Sequence, residues 1–191
     1  MKNTLERIQD WYKTNCNNDW EHTYGISIST LDNPGWTVRI DLRETALENI
    51  NFNKDYQNEL NENDWYKLRI ENQVLEIFCG PENLDLTLNI FLNEIIPSLA
   101  NKNFKYKIYL PLKGYKYPIW TPALGYMISE DIIELSEIPK VEFSLIKVKD
   151  NKMIDFTQID LDQLKLNFKV GDKVKTDIEV TDSNLILTTK K

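Results

Sequence analysis

The chain has 191 residues, 41% of them hydrophobic and 28% charged, with a formal net charge of -7. That length allows one domain or two small ones around a sizeable core, and the composition is ordinary for a soluble globular protein. No apolar run approaches the ~18 residues that span a bilayer, the N-terminus MKNTLERIQDWYK has no signal-peptide core, and one histidine with two scattered cysteines excludes a multi-histidine or cysteine metal set.

These features predict a cytoplasmic protein without a metal or cofactor. Cys16 and Cys79 read as buried free thiols in a reducing compartment, with a disulfide between them left open. The charge is uneven: residues 1–103 hold 17 Asp and Glu against 9 Lys and Arg, and residues 104–191 hold 13 against 14. An acidic first half suits a basic protein partner and not nucleic acid, although solubility alone explains it too.

Leu5, Ile8, Trp11 and Tyr12 recur at spacings of three and four, which predicts a helix over 3–15 capped by Asn3 or Thr4. A polar cluster from Asn15 to Asp19 breaks it. His22 then reads as the start of a strand. Ile26, Ile28 and Thr30, followed by Trp36, Val38, Ile40 and Leu42, alternate with polar residues as two half-buried strands. Between them Leu31-Asp32-Asn33-Pro34-Gly35 supplies a proline that fixes φ and a glycine free to take φ > 0. Residues 44–64 are poor in aliphatics and read as a loop, with a short helical turn at most. A second hairpin follows, Tyr66–Glu71 and Val74–Phe78 around Asn72-Gln73. Asn83 or Asp85 opens a helix through Leu99, which Pro97 shortens.

Residues 104–126 carry seven aromatics, three prolines and two glycines, a composition that suits an extended connector with short strands better than an inner strand. Strands are expected over 141–149, Leu164–Phe168, Val174–Val180 and Leu185–Thr189, with turns at 150–152 and 182–184. The stretch Phe168-Lys-Val-Gly-Asp-Lys-Val174 resembles the strand–turn–strand of small β-barrels. The expected class is α+β: an N-terminal helix, an antiparallel sheet of two hairpins and a following helix, then a mostly β C-terminal half. Residues 1–103 read as one domain and 104–191 as a β-rich region that either stands apart or packs with it as one fold.

Catalytic patterns are weak. His22 lies six positions after Cys16, but nothing supplies an orienting third group or a nucleophile motif for a Cys–His dyad. Glu21 and Asp41 offer a pair of carboxylates across the first hairpin, which any acidic protein does. No G-x-G-x-x-G, P-loop or G-x-S-x-G pattern occurs. Trp20 and Trp36 sit at strand ends, where a tryptophan serves either a core or an interface. Tyr115, Tyr117, Trp120 and Tyr126, interleaved with Lys113 and Lys116, have the makings of a base-stacking surface, but the acidic charge argues against it.

Trp11-Tyr12, Asp19-Trp20-Glu21-His22, Tyr24-Gly25, Thr30-Leu31-Asp32-Asn33-Pro34-Gly35-Trp36, Ile40-Asp41-Leu42 and Thr45 together resemble the immunity protein 53 family over residues 5–100, including Trp65-Tyr66 and Cys79. Members are proposed cytoplasmic immunity proteins of bacterial polymorphic toxin systems. The resemblance implies a non-catalytic protein that neutralises a toxin, in which an acidic surface meets a basic partner. The contact candidates are Trp20, Glu21, His22, Asp32, Asn33, Trp36 and Asp41. Two other readings stand beside it: a structural subunit of a larger defence or secretion assembly docking through its C-terminal half, and a carboxylate-dependent hydrolase using Glu21, Asp41 or His22.

Overall fold

Helix α1 (Thr4–Asn15) starts where the sequence places it. The Asn3 side chain accepts from the Glu6 backbone N–H, and the Glu6 carboxylate accepts from that of Asn3, a reciprocal cap that satisfies two otherwise unpaired donors. The computed structural model describes residues 2–50, 56–97, 104–149, 159–181 and 184–190. Among them, no helix is long and apolar enough to cross a membrane. After α1 the chain turns through Asn18, at φ 80°, into a single helical turn, α2 (Trp20–Thr23). His22 therefore lies in a helix and does not open a strand.

Five strands form the first sheet: β1 (Ile26–Leu31), β2 (Gly35–Asp41), β3 (Tyr56–Glu59), β4 (Trp65–Glu71) and β5 (Val74–Cys79), in the order β1-β2-β5-β4-β3 with antiparallel neighbours. Both expected hairpins are present. Asn72 and Gln73, at φ 51° and 61°, make the two-residue turn whose twist matches that of the flanking strands. Gly35 has a different use from the one expected. It does not adopt positive φ; a Cβ there would lie 2.5 Å from the Cys79 carbonyl, so glycine is what lets β2 approach the end of β5. Strand β3 falls in the stretch read as a loop, because Gln57, Asn58 and Glu59 carry no apolar alternation and the pairing with β4 supplies the order.

Helix α3 (Leu84–Ile90) runs into a π-helical turn at Phe91–Ile95. The expected continuation to Leu99 passes outside the described residues at 98. Leu88, Phe91, Leu92 and Ile95 of the expected apolar face are buried, and so are Thr87 and Ile90.

The expected connector at 104–126 is instead two of the longest strands, β6 (Tyr106–Lys113) and β7 (Ile119–Ser129). Their prolines lie where a ladder donor is dispensable. Pro111 falls between the pairing of Tyr109 with one neighbour and of Leu112 with another; Pro122 falls between Trp120, paired on one side, and Leu124, paired with a different strand. The remaining strands are β8 (Ile132–Glu137), β9 (Lys147–Val148), β10 (Lys165–Leu166), β11 (Lys173–Thr181) and β12 (Asn184–Thr189). Residues 141–149 thus contain a 3-10 turn at Phe143–Leu145 and only a two-residue strand, and the expected strand at Leu164–Phe168 shrinks to β10. The turns expected at 150–152 and 182–183 lie outside the described residues. The order is β10-β6-β12-β11-β8-β7-β9, and β6 also pairs with β7. Strands β6, β12, β11, β8 and β7 therefore close into a ring, with one parallel pairing, β12 to β6.

Trp11 and Trp20 are fully buried, with ring centroids 5.7 Å apart and nearly perpendicular planes, and Trp11 meets Phe91 in the same way at 5.2 Å. Such edge-on pairs add about 0.5–1.5 kcal/mol beyond the area they bury. One contiguous apolar cluster contains Trp11 of α1, Ile40 and Ile77 of the first sheet, Phe91 after α3, and Ile108, Ile133 and Leu187 of the ring. Polar contacts along α1 and the turn after it lie over that cluster. Arg7 pairs with Glu130 at 2.6 Å, Thr14 with Thr176 at 2.7 Å, and the Tyr106 hydroxyl donates to Asn15 at 3.0 Å. Asn18 donates to the Leu185 carbonyl at 2.8 Å and accepts from its N–H at 2.6 Å, standing in for a strand neighbour of β12.

Candidate functional site

The seven contact candidates separate into two groups at opposite ends of the first hairpin. Asp32, Asn33 and Trp36 lie at its tip; Trp20, Glu21, His22 and Asp41 lie at its base. Five residues of strand, roughly 17 Å at ~3.4 Å per residue, separate Trp36 from Asp41. They do not form one site.

At the base most side chains are committed to holding the fold. Trp20 is 0% exposed and its indole N–H donates to the Arg43 carbonyl at 2.9 Å, so its role is packing. The Glu21 carboxylate reaches back to accept from the N–H groups of Asn17 and Asn18, both at 2.9 Å. Asp41 accepts from the Arg43 guanidinium, which lies 4.7 Å over the Tyr24 ring. Hydrogen bonds to the Asp41 carboxylate raise the Arg43 pKa above its ordinary value. The expected pairing of Glu21 with Asp41 is absent among these contacts, since each carboxylate answers to a different donor. His22 is exposed.

The Cys–His arrangement fails on chemistry as well. The Cys16 thiol is buried and donates to the Tyr12 carbonyl at 3.4 Å. Burial first, and the nearby Glu21 carboxylate second, push its pKa up to about 11. A nucleophilic cysteine requires the opposite shift, towards the thiolate. Cys79 is buried too, and burial raises its pKa against the hydrogen bond from Thr87. Both cysteines are free.

The tip end is built differently. Register places Leu31 opposite Gly35, Trp36 opposite Cys79, Cys79 opposite Tyr66, and Trp65 opposite Glu59. The turn at 32–34, the loop at 60–64 and the turn at 80–83 must therefore emerge at the same end of the sheet. Side chains then tie them together. Asn83, buried, accepts from the Trp65 N–H at 3.2 Å and donates to Asp64 at 3.0 Å. Trp36 donates to the Pro81 carbonyl at 3.0 Å and Trp65 to that of Glu62 at 3.1 Å. At Gly80 a Cβ would come within 2.3 Å of the Asn63 carbonyl, so only glycine lets the two loops meet.

Between the turns and the sheet face is an open cleft of about 1220 Å³, with Pro34, Leu60, Trp65 and Phe78 as apolar lining and, among the described residues, Lys67 as the single cation lining it. Leu60 is 69% exposed. Glu59 and Glu62 line the same cleft, while Asp32, Asp64 and Glu82 stand on the turns around it. Five carboxylates, four from three loops and Glu59 from the end of β3, thus share one end of the sheet. Glu59, Glu62, Asp64 and Glu82 escaped the sequence reading because loops have no period to place them. Pairing the two hairpins by register would have brought the turns at 32–34 and 80–83 together. The strand β3, and so the 60–64 loop, had no such signal.

Next to the cleft, on the same outer face, Arg39 and Arg69 both bind Glu76 between them, Arg69 at 2.7 Å from its Nε. This cross-strand triad fixes the middle of that face and leaves the carboxylates of the tip unopposed by it.

Residues 5–95 match the family model described as immunity protein 53. The match spans α1 to the π-helical turn and includes the whole first sheet, with every residue of the cleft. No curated protein and no solved structure matches the chain.

Proposed function

We propose that this protein is a non-catalytic immunity protein that neutralises a cognate bacterial toxin by covering a basic surface of it with the tip end of its first sheet. The family match over residues 5–95 supports the immunity role and a protein partner. The observation that carries the choice of surface is the convergence of Asp32, Glu59, Glu62, Asp64 and Glu82 around a rigid, partly apolar cleft. A field of one sign held on fixed loops speeds encounter with an oppositely charged partner by roughly 10- to 1000-fold, and the pinned loops lower the ordering cost of binding. Exposed Leu60, Pro34 and half-buried Trp65 supply the apolar contact that gives such a complex its lifetime.

Within this reading the seven candidates take distinct roles. Asp32 and Asn33 contact the partner. Trp36 positions the tip through Pro81. Trp20, Glu21 and Asp41 hold the base, and His22 is outside the interface. Co-expression with a candidate toxin identified from the neighbouring genes tests the proposal through growth of the host. The wild type restores growth, and Asp32→Lys combined with Glu62→Lys, in a chain that remains folded, abolishes the rescue. Full rescue by that double variant would refute the surface assignment.

A further inference from the structure

Among the described residues, strand β1 is an open edge. The Asp41 N–H donates to the Gly25 carbonyl at 3.0 Å, which sets the phase of the β1–β2 ladder: residues 25, 27, 29 and 31 exchange hydrogen bonds with β2, and Ile26, Ile28 and Thr30 direct their N–H and C=O groups away from it. None of these three residues has a backbone or side-chain hydrogen bond beyond the sheet among the described residues. Ser27, Ile28, Ser29 and Thr30 are exposed, Ile28 by 41%.

Proteins usually protect such an edge with charge, proline, a bulge or brevity. The other edge of this sheet, β3, has four residues and carries Glu59. Strand β1 has six residues, ISISTL, with no charge and no proline, and its ladder with β2 runs without a bulge. In a chain of net charge -7, this strip is a place where two copies meet without opposing like charges across the seam.

We infer that β1 is a self-pairing edge, through which two copies of this chain join antiparallel about a two-fold axis at Ile28. The sequence is self-complementary in that register. Ile28 faces Ile28 of the other copy, Ile26 faces Thr30 and Thr30 faces Ile26, so every outward N–H and C=O of the three residues finds a partner. Ser27 faces Ser29 on the outer side. On the inner side Ile28 already continues the cross-strand row Leu68–Ile77–Val38, and the pairing runs that row unbroken through both copies. The two five-stranded sheets become one. The tip clefts then lie at opposite ends of the seam, since the strands are antiparallel, and both stay open. This dimer is independent of the toxin reading, because only the chain itself takes part.

The test is the mass of the full chain by sedimentation velocity as its concentration rises through the micromolar range. The expected result is a shift towards twice the monomer mass, and Ile28→Lys, which puts two ammonium groups face to face at the axis, weakens association by about tenfold or more with the circular dichroism spectrum unchanged. A second pair of variants reads the register without disturbing the fold. At the axis the Cα atoms are ~5.5 Å apart, within disulfide reach. Ile28→Cys therefore forms a cross-linked dimer on mild oxidation and Ser29→Cys does not; Cys16 and Cys79 are buried. A chain that stays monomeric throughout, a dimer indifferent to Ile28→Lys, or equal cross-linking of the two cysteine variants would each overturn the inference. So would a β1 edge that pairs only with a strand of a different protein.

Discussion

The first sheet ends at β1 and β3, whereas the strands of the second half run round until β6 meets β12 on one side and β7 on the other. Among the described residues, the open sheet leaves a free edge, an uncovered outer face and three loops gathered at one end. The ring spends its main-chain groups on itself and presents side chains to α1. On the function proposed above, recognition belongs to the open half, and the closed half supports it by packing against α1 and completing the core. Closure is the surer way to remove a reactive edge, and the first sheet does not use it.

The largest test of that division is to remove the support. We propose that the two halves fold as one unit, because Trp11 and Phe91 share a cluster with Ile108, Ile133 and Leu187. Residues 1–103 alone are then expected to lack a cooperative thermal transition; a sharp transition and dispersed amide resonances in that fragment would break the comparison. Trp20→Ala comes next. It empties a fully buried site at the base and is expected to cost about 3–5 kcal/mol in urea denaturation, and the folded fraction is expected to bind partner normally. Asn18→Ala removes the two-bond clamp on Leu185 and leaves those groups without a protein partner, an expected loss of about 1–3 kcal/mol by the same measurement.

The smallest expected effect is a pH dependence at Asp10 of α1, which pairs with Lys2 and Lys13. Burial works to raise the Asp10 carboxyl, but hydrogen bonds and charge from Lys2 and Lys13 outweigh it and hold the pKa below its ordinary value. A carboxyl depressed in the folded state binds fewer protons there than in the unfolded chain. Its contribution is complete above pH ~4 and drains away as the pH falls through the folded value. Asp10→Asn is therefore less stable than wild type near neutrality, and the gap narrows on acidification below pH ~4. A gap that stays constant across that range would show that the lysine contacts contribute nothing to folding.

Much of this architecture is legible in the residues. Alternation located both hairpins of the first sheet, spacing located α1, and the match of residues 5–95 rests on the same stretch that carried the resemblance. Legibility failed where order comes from a neighbour. Tyr56–Glu59 has no pattern of its own and is a strand because β4 pairs with it. Pro111 and Pro122 suggested a connector, since a proline denies a ladder one donor; they are tolerated where the neighbouring strand changes. At the site, composition found the acidic half but not its geometry. Glu21 and Asp32 look equivalent in the sequence, yet one accepts two backbone N–H groups at the base and the other stands free at the tip.

The central claim is that the tip end of the open sheet carries partner recognition. It is tested most directly by titrating a candidate toxin domain, identified from the neighbouring genes, with the wild-type chain, Asp32→Lys/Glu62→Lys and His22→Ala, each at low and high salt. The account predicts tight binding by wild type and His22→Ala that weakens with salt, and for the double variant a loss of about 100-fold at low salt, in the range of a few kcal/mol for charges facing a partner. Equal affinity of all three proteins, at either salt concentration, would contradict it.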